Sequence, residues 1–164
     1  DGGLMSWAYD PAMVAADGPL DVTLVESNPE LAEKAAERLP QASVVHHEGD
    51  GAAWPFKDAE FDVVVLAFVL HHVLPSDRPQ LLEEAKRTAK AVLVLEDQPQ
   101  AAPSEAGRRL AWHVTEEHFR PFGQNPDDYL AGVLCDDEWR MLFLQSGLEV
   151  MSNEAVPGSL RHPV

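Results

Sequence analysis

At 164 residues the chain is long enough for one domain with a sizeable core and short for two. Its 28 acidic residues outnumber 12 basic ones, giving a formal charge of −16 spread along the chain rather than blocked. That balance argues against nucleic acid or an anionic membrane as partner, since both are gripped by clustered Lys and Arg. A single cysteine, Cys135, rules out an intrachain disulfide framework and suits a reducing, cytoplasmic setting. No apolar run reaches the roughly 18 residues of a membrane span, and no basic-then-apolar signal opens the chain. The first residue is Asp1 rather than Met, so the sequence reads as a fragment or a processed chain.

Strands and helices alternate along the sequence. Val22 to Glu26 is a short apolar strand ending on an acid. Asn28 is placed to cap a helix with Pro29 in its first turn, and Leu31, Ala35 and Leu39 recur on one face. Ser43 to His46 is a second strand. Phe61 to Leu66 is a near-continuous apolar run, the pattern of a strand buried on both faces. A helix capped near Ser76 or Asp77 then turns Leu81, Leu82 and Ala85 inward, and Ala91 to Leu95 forms the next strand. Residues 100–135, rich in proline and aromatics, read as a helical insertion or cap. Asp136 or Asp137 caps an amphipathic helix bearing Trp139, Leu142 and Phe143, Gly147 ends it, and Leu148 to Val156 reads as a last strand. Such alternation predicts an α/β fold with a mainly parallel sheet and right-handed crossovers, in one domain over residues 1–164.

Chemistry is expected beyond the carboxyl ends of the strands, where open parallel sheets hold their ligands. Glu26 stands at such an end, and an acid there can accept hydrogen bonds from both hydroxyls of a ribose; a solvated strand-end acid is the plain structural alternative. Asp50 follows the third element in a glycine-flanked turn, where its carboxylate can accept from an adenine amino group while Gly51 lets backbone approach; an Asx-turn competes with this. His71 and His72 come where the 61–66 strand emerges. One of them, His72 in particular, could serve as general base toward a hydroxyl or amine, with His71 orienting the acceptor. Adjacent residues at a helix start point apart, and a packed helix-entry pair is the structural alternative. Trp112, His113, His118 and Phe119 are candidates for an acceptor pocket or, equally, for ordinary core aromatics of a cap. His46-His47 and His71-His72 lack both a helical His spacing and a cysteine partner, so no metal site is expected.

The stretch 48–73, EGDGAAWPFKDAEFDVVVLAFVLHHV, resembles small class I S-adenosylmethionine-dependent methyltransferases of the type 11 kind. Their members carry an acidic turn, an LPF-(D/E)-x-x-FD segment and a strand ending near HH. The resemblance runs from about Leu20 to Val164. It implies a Rossmann-like, doubly wound sheet, S-adenosyl-L-methionine as cofactor, and a small-molecule methyl acceptor. It also implies a cofactor set of Gly2, Gly3, Glu26, Ser27, Asp50, Gly51, Ala67 and Phe68. The family's Gly-rich loop, (D/E)-x-G-x-G-x-G, has only Asp1-Gly2-Gly3 as a counterpart, and the strand before it has none. This leads to the expectation that the 164-residue chain alone binds the cofactor weakly or not at all. A non-catalytic methyltransferase-like binding module stays open as a second reading. Another Rossmann-like nucleotide-binding enzyme stays open as a third, although a nicotinamide enzyme would need a G-x-G-x-x-G turn that is not present.

Overall fold

A computed structural model describes residues 20–47, 53–96 and 132–154. The chain divides into two compact units, Asp1–Trp54 and Pro55–Val164. Among the described residues, each shows a strand, helix, strand repeat with its two strands parallel.

In the first unit, β1 (Thr23–Glu26) leads to α1 (Pro29–Arg38) and then β2 (Ser43–His46). The helix begins where the sequence places it. The Asn28 side chain accepts from the Glu30 and Leu31 amides at 2.9 and 3.3 Å, satisfying donors that the first turn leaves unpaired, and Pro29 needs no such partner. The buried face differs from the expected one: Ala32 and the C-cap residue Leu39 are buried, whereas Leu31 is exposed. Among the described residues the ten-residue helix packs on two strands, and Ala32 lets it approach them closely. β1 and β2 run parallel in register, pairing Thr23 with Ser43 and Glu26 with His46, so both strands end at one edge.

The second unit is built on β3 (Phe61–Ala67) and β4 (Ala89–Leu95), joined by a 3-10 turn (Leu70–His72) and α2 (Arg78–Thr88). β3 and β4 are parallel, with Phe61 opposite Ala89 and Ala67 opposite Leu95. Leu66 on β3 and Leu81, Leu82 and Ala85 on α2 are buried, as the helical spacing of the last three predicts. Thr88, fully buried, sends its hydroxyl to the Glu84 carbonyl at 2.8 Å and closes the helix directly into β4. The other face of β3 departs from expectation: Val63 is 51% and Val65 41% exposed among the described residues. Alternation along the strand puts these two opposite Leu66, so the apolar run has one packed side here.

Before β3, the 55–60 turn is clamped by Arg87, whose guanidinium donates to the Phe56 carbonyl and to Asp58, both at 2.8 Å, and to Glu84 at 2.7 Å. Those two carboxylates hold the guanidinium pKa above its usual value. Ala59, in the left-handed region at φ 52°, returns its amide to the Arg87 carbonyl at 2.8 Å.

α3 (Asp136–Gln145) is capped by Cys135, not by Asp136 or Asp137. Cys135 is extended, and its amide donates to Glu138 at 2.8 Å, the capping-box geometry that Glu138 at the third helical position permits. α2 likewise starts after Asp77, yet without a side-chain cap: Asp77 has helical backbone angles, φ −100° and ψ −16°, and its Oδ1 accepts from Ser76 at 2.8 Å. Gly147, at φ 69°, ends α3 as expected, and Lys86 Nζ donates to the Ser146 and Gly147 carbonyls at 3.4 and 3.5 Å, a cation where the helix dipole favours one. The expected last strand is not formed over 148–154; Asn153 instead donates to the Asp136 side chain, and these residues have no strand beside them among the described ones. Its end, 155–156, and the insertion over 100–131 lie outside the described residues. No helix among the described residues is long and apolar enough to cross a membrane.

Gly132 packs so tightly that a Cβ there would stand 1.9 Å from the His71 carbonyl oxygen.

Three stability outcomes follow from this packing. Leu82→Ala, at a side chain with 0% exposure, is expected to lower unfolding free energy by about 2–5 kcal/mol through loss of burial and a residual cavity. Leu144→Ala, 60% exposed, is expected to cost within about 0.5 kcal/mol; equal effects in urea titrations would contradict the core described here. Gly132→Ala must displace backbone rather than a flexible side-chain tip, so a loss of about 1–3 kcal/mol is expected on the same measurement.

Candidate functional site at the strand ends

In the second unit, the carboxyl ends of β3 and β4 meet the turn that follows β3. Phe68 leaves β3 in the left-handed region at φ 57° while its amide still pairs with the Leu95 carbonyl at 2.8 Å, so the chain reverses sharply against the end of β4. A bulky residue held there is strained and needs its surroundings to enforce it. Glu96, the next residue beyond β4, supplies that enforcement. Its Oε1 accepts from the Leu70 amide at 2.7 Å and its Oε2 from His71 Nδ1 at 2.6 Å. The two side chains are buried, with 2% of His71 and 4% of Glu96 exposed. A carboxylate can only accept, so the shared proton lies on Nδ1 of His71 when Glu96 is ionised.

His72 has the opposite environment. It is exposed, and its ring centroid lies 4.0 Å from that of His71 at a tilt of 50°. Its pKa is lowered from the ordinary histidine value, first by desolvation against its neighbours and then by His71, with the Glu96 charge pulling the other way. A lowered pKa keeps the imidazole neutral, and hence able to accept a proton, further into the acid range. The pair therefore sits on a 3-10 turn rather than at a helix start, one ring inside and one outside.

Behind the turn, the buried Arg78 guanidinium donates to the Val73 carbonyl at 3.0 Å and the Gly132 carbonyl at 2.8 Å, and lies 5.5 Å above the Trp139 ring. Burial lowers its pKa while the Glu96 charge raises it, so Arg78 and Glu96 form part of one electrostatic neighbourhood. Trp139 stacks on Phe143 at 6.0 Å, the face that helical spacing predicted for this pair.

In the first unit, Glu26 ends β1 with its Oε1 accepting from the Asn28 amide at 2.9 Å, and it is partly exposed. Its other carboxylate oxygen has no protein donor among the described residues. Next to it, the Ser27 carbonyl lies 3.0 Å from His46 Nε2, which ties the end of β2 to the turn after β1.

Of the residues expected to form the site, Glu26 and Ser27 lie at the carboxyl edge of β1. Ala67 ends β3, and Phe68, His71 and His72 follow it in the turn. Gly2, Gly3, Asp50, Gly51, Trp112, His113, His118 and Phe119 lie outside the described residues. Sequence reasoning did not single out Glu96. Its one signal was an acid immediately after an apolar strand, the same signal that drew attention to Glu26. Among the described residues no group of three or more His, Cys, Asp or Glu is arranged to hold a metal ion.

No curated protein matches the chain. Among solved structures, an S-adenosylmethionine-dependent methyltransferase from Aquifex aeolicus superposes with a TM-score of 0.54 at 19% identity. The alignment covers 83% of this chain and 62% of that one, so the chain spans under two thirds of its length. At that identity the likeness establishes the Rossmann-like α/β fold. A family described as "Methyltransferase domain" matches residues 8–92, just over half of the 164 residues. The chain thus belongs to the methyltransferase-domain family, whose cofactor is S-adenosylmethionine.

Proposed function

We propose that the protein transfers a methyl group from S-adenosylmethionine to a small molecule whose accepting oxygen or nitrogen carries a proton, with His72 taking that proton. The observation that supports this most directly is an exposed histidine of lowered pKa at the carboxyl edge of a parallel strand pair.

The cofactor fits Glu26. Of its carboxylate oxygens, one is satisfied by Asn28 and the other is left to accept from a ribose hydroxyl, as an acid at this place in a doubly wound fold does. Ser27, next to it, and Ala67 and Phe68, at the end of β3, are assigned to the same cofactor on the family pattern. We assign Gly2, Gly3, Asp50 and Gly51 to the same cofactor, and Trp112, His113, His118 and Phe119 to the acceptor, on the family pattern alone. When bound, S-adenosylmethionine supplies a methyl carbon already activated by a sulfonium, so the protein's task is alignment, exclusion of water and proton removal. His72 would take the acceptor's proton at a ring nitrogen, leaving the acceptor atom's lone pair free to meet the methyl carbon that the bound cofactor would supply. His71, buried on Glu96, orients rather than reacts. The acidic surface favours a small acceptor over a polyanion. We keep the reading of one domain over 1–164 as part of this proposal, and the cysteine content supports a cytoplasmic place of work.

Calorimetric titration of S-adenosylhomocysteine tests the cofactor assignment, in this chain and in a form with a complete Gly-rich loop and preceding strand ahead of Asp1. Glu26→Gln should weaken binding by roughly ten- to a hundredfold, the loss of a hydrogen bond to a charged group. Unchanged affinity would remove Glu26 from the site, and absence of binding in both forms would favour a non-catalytic module. Transfer of labelled methyl to a panel of small phenols and amines should fall by about 10²-fold or more in His72→Gln, with cofactor affinity kept. Undiminished transfer would leave His72 without the base role.

A further inference from the structure

Glu96 carries a charge into a place where charge is expensive. Desolvating a carboxylate costs several kcal/mol, and well-packed apolar residues in place of a buried ion pair are often as stable or more so. The 3-10 turn it serves spans three residues, Leu70–His72, and its stability alone is a thin reason for such a group. What the carboxylate accomplishes is geometric. One oxygen fixes the backbone where the turn begins, and the other fixes the ring and tautomer of His71. His71 is then a rigid surface 4.0 Å from the His72 ring, and Gly132 presses the same residue from its carbonyl side. A proton acceptor must be held within about half an ångström of its working position to be effective.

We propose that Glu96 is a positioning residue for the methyl transfer: by clamping the Leu70 amide and the His71 ring, it sets where the neighbouring His72 imidazole stands at the ligand edge. This rests on the reading of His72 as the proton acceptor given above. Glu96 touches neither acceptor nor methyl group; it acts through His71, whose tautomer and ring orientation it fixes as a carboxylate does for a ligating or catalytic imidazole. Among the described residues, the charged groups acting on His72 are His71 in its own turn and Glu96 from the end of β4, with Arg78 of α2 in turn within the field of Glu96.

Histidine ring signals tell this apart from a merely structural salt bridge. Long-range nitrogen–proton NMR correlations on the full chain, followed through pH, report tautomer and titration midpoint for each ring. The wild type should show His71 with its proton on Nδ1 and His72 titrating below an ordinary histidine. Glu96→Gln keeps volume and one acceptor oxygen and removes the charge, so the hold on the Nδ1 proton should loosen. The His72 midpoint should then move, because the Glu96 charge is gone and its hold on the neighbouring His71 ring is changed, the two electrostatic influences on His72. Glu96→Asp, which retains the charge, should bring the His72 midpoint back toward wild type. Both histidines behaving in Glu96→Gln as in the wild type would overturn the proposal. So would a wild-type His71 with its proton on Nε2 alone, a result that needs no variant to fold. Failure of the underlying base reading looks different: methyl transfer would survive His72→Gln while the ring signals still obeyed Glu96.

Discussion

The carboxylate of Glu96, shared between the Leu70 amide at 2.7 Å and His71 Nδ1 at 2.6 Å, is the contact on which the edge of the second unit depends. Two parallel strands bring their carboxyl ends together, but a strand end by itself leaves the following backbone free to wander. Here the wandering is stopped twice. Phe68 is turned into the left-handed region while still bonded to Leu95, and the next residues are caught by an acid from the neighbouring strand. The strain of the first is stable because the second over-determines it. Arg78, Gly132 and Trp139 then close around the same turn from α2 and α3, so local geometry, helix packing and the exposure of His72 are fixed together.

Much of the fold was legible in the sequence because its signals are local. Asn28-Pro29 specifies a helix start through groups within three residues, and the structure shows those hydrogen bonds. The apolar runs of β3 and β4 and the spacing of Leu81, Leu82 and Ala85 translate directly into paired strands and a buried helix face. What the sequence concealed was competition. Asp136 and Asp137 both look like caps, yet Cys135 takes the position, since what decides it is the reach of Glu138 back to its amide. Asp77 looks like a side-chain cap, yet its backbone is already helical and its side chain turns to Ser76. Residues 148–154 have strand-like composition, but a strand exists only where another lies beside it, and that is a property of the partner, not of the segment. Val63 and Val65 show the same limit, being apolar without being covered among the described residues.

The site was readable to a similar degree and for similar reasons. A histidine pair after a buried strand marks the place, but which ring is inside depends on a partner 25 positions away in the chain. No local pattern couples residue 71 to residue 96; only the parallel pairing of β3 with β4 does so.

Glu26 and Glu96 carry the same signal in sequence, an acid just past an apolar strand, and both accept an amide of the turn beside them. Their surroundings give them different capacities. Glu26 is partly exposed and spends one oxygen on Asn28, so acceptor capacity remains for a ligand hydroxyl. Glu96 has a buried side chain and both of its oxygens already accept from protein donors, so it is closed to solvent where Glu26 is open. Burial and the number of engaged oxygens therefore separate the two where position in sequence cannot. A partly exposed carboxylate with one oxygen unengaged is suited to recognition, and a buried one with both engaged is suited to holding a neighbour still. The division matches what methyl transfer asks of a protein, since the electrophile arrives activated and the remaining work is to place an acceptor and a base with little freedom to move.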